Sequence, residues 1–245
     1  SVKDNIDAFR FGRHYENLKE EVVDIIKDEP EVLEGFDEKY KNRFKFLEDY
    51  QNIKYAEKFG DLVSYARKID KNIGNGSQFS TAVLKNYFKL MAYKDEYEVS
   101  RLMTNKKFVD DVNKNFEGNF NYNFYLAPPI FSKKSKVDGK LLKVKFGGWL
   151  FNVFKLLSKF KFLRGTKLDP FGYLNERKKE RELIRDYKQT ITDIGIKINK
   201  SNYETAVKIA SVPDQIRGFG HVKEKNIKEA INYRTDLLNS FHENT

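Results

Sequence analysis

The chain has no cysteine, two methionines, one tryptophan and three histidines among its 245 residues. Without cysteine there is no disulfide, no thiolate zinc site, no ligand set for an iron–sulfur cluster and no cysteine nucleophile. His14, His221 and His242 lie far apart and form no H-x-x-x-H pair, which argues against a histidine metal site. No apolar run reaches the roughly 18 to 20 residues that a membrane span needs, so no transmembrane segment is expected. The chain opens Ser-Val-Lys-Asp, with neither a signal-peptide core nor an initiator methionine. A cytoplasmic piece of a longer polypeptide is the expectation.

Aromatic residues are plentiful, with 21 Phe and 14 Tyr, and 40% of the chain is hydrophobic against 33% charged. That balance fits a globular protein with an aromatic core, long enough for one large domain or two small ones. Charge is distributed unevenly. Residues 128–168 carry Lys133, Lys134, Lys136, Lys140, Lys143, Lys145, Lys155, Lys159, Lys161, Arg164 and Lys167 against the single acid Asp138. The excess there equals the formal net charge of the whole chain, +10, so the remainder is neutral. One basic, aromatic-rich face points to an acidic partner.

Apolar residues recur at helical spacing from Asp4 to Lys27, and again from Phe36 to Ile73, where Tyr40, Phe44, Leu47, Phe59 and Leu62 share a face. Gly74-Asn75-Gly76-Ser77 is the strongest breaker. A boundary there separates an N-terminal helical region, residues 1–73, from a second region, residues 79–245, unless the two are one continuous domain. Ser80 is placed to cap a helix running to about Thr104 with a kink near Ala92, and a shorter helix follows from Lys106 to Phe116. Phe120, Tyr122, Phe124 and Leu126 then alternate with Asn119, Asn121, Asn123 and Tyr125. Leu142, Val144 and Phe146 alternate with Lys143 and Lys145. These period-2 runs predict two strands joined by a long basic loop. A helix over residues 149–163 is apolar around most of its circumference, and that width fits burial in a protein core. Asp169-Pro170 reads as the cap and first residue of a long charged helix to about Ile198, and two more helices close the chain. The fold class is mainly α, with a small two-stranded β element around residues 119–146.

Several motifs carry a chemical reading and a plainer one. Gly74-Asn75-Gly76-Ser77 begins like a dinucleotide fingerprint, but it lacks the third glycine and follows a helix, so turn chemistry accounts for it. Asp95, Glu96 and Glu98 crowd three carboxylates together, and Arg101 three residues after Glu98 favours a salt-bridge network over an acid/base pair. The charge run Arg177-Lys178-Lys179-Glu180-Arg181-Glu182 reads as a solvated helix face. Gly218-Phe219-Gly220-His221 would present backbone N–H groups to a phosphate at the start of the last helix, with Arg217 and Lys223 adding charge. A tight corner anchored by a buried Phe219 is the simpler reading of that turn.

Four blocks in order carry a resemblance. They are Asn86 to Val99 (NYFKLMAYKDEYEV), Leu126-Ala127-Pro128-Pro129, Leu163 to Tyr173 (LRGTKLDPFGY) and Gln215 to Lys223 (QIRGFGHVK). Together they resemble the C-terminal domain of the fused-chain indolepyruvate ferredoxin oxidoreductases, members of the 2-oxoacid:ferredoxin oxidoreductase family. The resemblance covers about residues 84–238. It implies a parent enzyme that decarboxylates arylpyruvates oxidatively to acyl-CoA, using thiamine diphosphate, iron–sulfur clusters and CoA, with ferredoxin as acceptor. None of that apparatus is in this sequence: Gly60-Asp61 continues as Leu62, and there is no cysteine for a cluster. The resemblance assigns no catalytic, cofactor-binding or metal-binding residue here.

The expectation is therefore a non-catalytic accessory domain, inactive alone, that packs on the catalytic domains of its parent within a homo-oligomer. Lys133, Lys134, Lys136, Lys140, Lys143 and Lys145 would dock ferredoxin or another acidic partner. Arg217, His221 and Lys223 would form a turn facing the active site. Nucleic-acid binding by the basic strands and membrane-surface attachment by the helix over residues 149–163 are the alternatives.

Overall fold

The structure, a computed structural model, describes residues 35–115, 121–126, 142–218 and 220–243. The helix expected between Asp4 and Lys27 lies outside them. Two compact units divide the chain, Ser1–Lys39 and Tyr40–Thr245, and the sites considered below belong to the second. Among the described residues there are nine α-helices and one two-stranded antiparallel sheet, so the chain is mainly α, as its periodicity predicts.

The expected helix from Phe36 to Ile73 is broken into α1 (Phe36–Tyr50) and α2 (Ile53–Ile73). Asn52 causes the break: its backbone is extended and its Oδ1 accepts from Tyr55 N at 2.9 Å, capping α2. α3 (Gln78–Met91) begins earlier than expected, so Ser80 lies in its first turn, where its N–H donates to buried Asp70 at 2.8 Å. The kink near Ala92 is a complete break. Asp95 takes an extended backbone and accepts from Glu98 N at 2.8 Å, starting α4 (Glu96–Met103). α5 (Lys106–Asn115) follows.

β1 (Phe124–Leu126) and β2 (Val144–Phe146) pair antiparallel with Phe124 opposite Phe146. The sheet lies on α6 (Leu150–Lys159) through Tyr122 stacked on Phe151 at 5.5 Å and Phe124 edge-on to Phe154 at 5.2 Å. α6 tightens into a 3₁₀ turn, Phe160–Leu163, and packs against α4. α7 (Asn175–Lys197) starts later than expected: Asp169 is not its cap but holds the loop before it. α8 (Tyr203–Ser211), a 3₁₀ turn at Val212–Gln215 and α9 (Gly220–Glu243) complete the chain.

The aromatic core is organised by tyrosine. Tyr40, Phe59, Tyr87 and Tyr187 stack in one column at centroid spacings of 5.9, 6.3 and 5.8 Å, tying α1, α2, α3 and α7 together. Each buried ring removes a large apolar area from water, and a buried hydroxyl must find a partner. Four hydroxyls do so across the fold: Tyr50 donates to Tyr93 O, Tyr55 to Met91 O, Tyr187 to Ala210 O and Tyr203 to Asp70. Two of these close irregular joints, since Met91 and Tyr93 flank the break between α3 and α4. Where α2 crosses α7, Gly195 lets the helices approach; a Cβ there would stand 2.6 Å from the Tyr65 hydroxyl.

Candidate functional site

Two charge clusters meet at the segment from Tyr93 to Glu98. The first is buried. Arg164, counted from sequence with the basic face, is only 4% exposed and points inward. Its guanidinium grips Asp95 with both Nε and Nη2, the latter at 2.8 Å, and donates through Nη1 to Tyr50 O. It also lies 3.6 Å over the Tyr50 ring. Asp95 thus caps α4 and neutralises Arg164 together. Beside it, Asp169 accepts from Gly165 N, Phe171 N and the Tyr97 hydroxyl. Burial, with Asp169 adjacent, holds the Tyr97 phenol well above its ordinary pKa, so it remains a donor. The first and third of the four sequence blocks therefore meet in one polar hub, which joins α1, α4 and the loop before α7.

The second cluster is open. A cleft of about 670 Å³ lies between the start of α4, the start of α7 and the turn into α9. Among the described residues six cationic side chains line it, Lys89, Lys94, Lys143, Arg177, Arg217 and Lys223, against three carboxylates, Glu96, Glu176 and Glu180. Glu180 is 5% exposed and accepts from both Arg177 Nη1 and Lys223 Nζ, the latter at 2.6 Å. The run from Arg177 to Glu182 is therefore not a wholly solvated face: Arg177 and Glu180 turn inward. Arg177 also stands 3.4 Å from Glu176 and 3.7 Å from Glu96, and its Nε makes no hydrogen bond. Burial raises the pKa of Glu96 and of Glu180 above the usual carboxylate value, although Arg177 opposes it at both. Lys89 donates to Pro213 O at 2.7 Å, and burial lowers its pKa. Lys94, Lys143 and Arg217 are exposed and have no carboxylate within ion-pair distance among the described residues.

The turn into α9 sets the rim of the cleft. Gly218 has φ +88°, and a Cβ there would meet Val222 Cγ1 at 2.9 Å. A side chain at this position would be strained on both counts. Arg217 Nε donates to Asp214 O at 3.0 Å, and Asn226 donates to Arg217 O at 2.9 Å, holding the turn in place.

The structure thus brings together three residues that sequence reading placed in two separate groups: Lys143 of the basic strands, and Arg217 and Lys223 of the turn. His221 is exposed and does not line the cleft; Lys145 is exposed on β2. Lys133, Lys134, Lys136, Lys140 and Phe219 lie outside the described residues. Lys89, Lys94 and Arg177 were not among the expected site residues. Their local signal is weak, because each sits in a helix pattern whose charges read as solvated.

A third feature is the outer side of α6. The prediction that this helix is buried in a core holds only in part, since Leu150 and Phe154 are buried while Trp149 and Leu156 are 60% and 59% exposed. Trp149, Val153, Leu156 and Phe160 recur at i, i+4, i+7 and i+11 and form one uncovered apolar stripe. Lys155 and Lys159 are exposed along one flank. The sheet and α4 cover the opposite side, which explains why apolar residues encircle the helix.

Among the described residues no group of three or more His, Asp or Glu side chains is placed to hold a metal ion, and no helix is long and apolar enough to cross a membrane. A family model, described as a family of unknown function (DUF6537), matches residues 36–235. The chain belongs to that family. The DUF6537 match takes in the hub, the cleft and the α6 stripe, so all three lie within the family's domain. No curated protein and no solved structure matches the chain.

Proposed function

We propose that this chain is a non-catalytic accessory domain of a 2-oxoacid:ferredoxin oxidoreductase, the enzyme its four sequence blocks resemble, and that it acts by docking. The observation that carries the docking reading is the uncovered stripe on α6, Trp149, Val153, Leu156 and Phe160, flanked by Lys155 and Lys159. Contiguous apolar surface rimmed by charge marks a protein contact. In this reading the stripe packs on the catalytic domains of the parent enzyme, within a cytoplasmic homo-oligomer. The lysines around it attract an acidic protein such as ferredoxin. Thiamine diphosphate, the iron–sulfur clusters and the CoA chemistry belong to other parts of the parent, since a chain without cysteine cannot ligate a cluster.

The hub supports the same reading from another direction. Asp95, Tyr97, Arg164 and Asp169 are residues of the resemblance blocks, and all four spend their polar atoms on one another and on backbone. They hold a shape.

Charge reversal tests the docking. Lys145→Glu, Lys155→Glu and Lys159→Glu together should slow ferredoxin reduction by the intact enzyme about 10-fold or more at low salt, with the difference shrinking as salt rises. Leu156→Glu should weaken assembly with the catalytic domains, read by size-exclusion chromatography. An unchanged low-salt rate together with unchanged assembly would remove the proposal.

A further inference from the structure

The cleft between α4, α7 and the start of α9 has a charge imbalance among its described residues. Its three carboxylates are engaged by Arg177 and Lys223. Among the described residues Lys94, Lys143 and Arg217 have no carboxylate partner, and Lys89 donates to the carbonyl of Pro213. Arg177 is 7% exposed; its Nε makes no hydrogen bond and stands 3.7 Å from Glu96 Oε2. Gly220, the first residue of α9, also lines the cleft. The first N–H groups of a helix have no intrahelical acceptor, and they favour a negative ligand. Leu90, Leu183 and Ile216 supply an apolar wall. At about 670 Å³ the space falls within the range of small-molecule sites, about 300 to 1,000 Å³.

We infer that this cleft binds an organic phosphate: a small molecule carrying two or more negative charges on phosphoryl groups and an apolar or aromatic body. Several uncompensated cations call for more charge than one carboxylate supplies. A phosphoryl group accepts from several donors at once, as a guanidinium, ammonium groups and helix N–H groups would require. The wall of Leu90, Leu183 and Ile216 takes the uncharged part of the ligand. Lys223 and Arg177 are held in place by Glu180, so part of the site is already formed without ligand.

This inference stands apart from the docking proposal. Lys143 lines the cleft but stands two residues before Lys145 of the docking test, so this test uses Lys94 and Arg217. The full chain is titrated calorimetrically at low salt with ADP, pyrophosphate and acetate as probes. ADP should bind with a Kd tighter than about 1 mM and more tightly than pyrophosphate, with acetate weaker than both. Lys94→Glu and Arg217→Glu should each weaken ADP binding about 10-fold or more, while Lys200→Glu, an exposed charge outside the cleft, leaves it unchanged. ADP affinity weaker than about 1 mM, or equal affinity for ADP and pyrophosphate, overturns the inference. So does an equal loss in Lys200→Glu, which would mean diffuse attraction and no site.

Discussion

Lys94, Asp95 and Glu96 are neighbours in sequence but serve two charge clusters built on opposite terms. Asp95 turns inward to Arg164, where both partners are nearly inaccessible and their polar atoms are satisfied. Lys94 turns to the cleft, where cations outnumber carboxylates among the described residues and Lys94 itself has no carboxylate partner, while Glu96 beside it pairs with Arg177 at 3.7 Å. Burial makes the difference. A charge removed from water must be paired almost completely, because the interior offers no other screening. A charge at an open cleft can be left unpaired because water attends it until a ligand arrives. The hub therefore fixes the fold, and the cleft stays available.

The largest effect should come from breaking the hub. Arg164→Met strands the Asp95 carboxylate in the interior and should cost about 3 to 5 kcal/mol of unfolding free energy, measured by denaturant titration. Replacing both partners, Arg164→Met with Asp95→Asn, should recover part of that loss because no unpaired charge remains. If the double variant is as unstable as the single one, the hub is held by something other than this pair. A smaller effect is expected at the rim of the cleft. Gly218→Ala must adopt a positive φ and push against Val222, for about 1 to 2 kcal/mol.

The smallest effect is a pH dependence. Glu96 has its pKa raised, chiefly by burial, so the folded chain binds its proton more tightly than the unfolded chain does. That favours folding at low pH, and the gain is lost as the pH rises from the ordinary carboxylate range through the raised value. Glu96→Gln should therefore match the parent at acid pH and gain on it as the pH climbs, in thermal unfolding followed by circular dichroism. A gain that appears only toward acid pH would contradict the burial assignment.

The helices and the strand pair were legible because each repeats a local period. The alternation of Phe124 and Leu126 with Tyr125, and of Val144 and Phe146 with Lys145, located both strands. Helical spacing hid the helix break at Asn52 and showed the one before Asp95 only as a kink near Ala92. Apolar spacing runs on through Asn52 and Asp95, and the capping side chains, an Asn and an Asp-x-x-Glu box, mark the full breaks. Arg164 was counted with the surface lysines because its partner lies 69 residues away, and no local pattern records a long-range pair. For the same reason the strand residue Lys143 and the turn residues Arg217 and Lys223 read as two features, when the fold makes them one. The α6 stripe was legible as an apolar arc but not as an exposed one, because periodicity does not say which side finds a neighbour.

The contrast between a hub that holds the fold and a cleft that holds a ligand is tested most directly by thermal unfolding of Lys94→Glu/Arg217→Glu, with and without ADP. Without ligand the double variant should unfold within a few degrees of the parent, because both side chains are exposed and pair no carboxylate. With ADP the parent midpoint should rise and that of the variant should stay where it was. A variant that still gains stability from ADP as the parent does, or one that has already collapsed without ligand, would contradict the account.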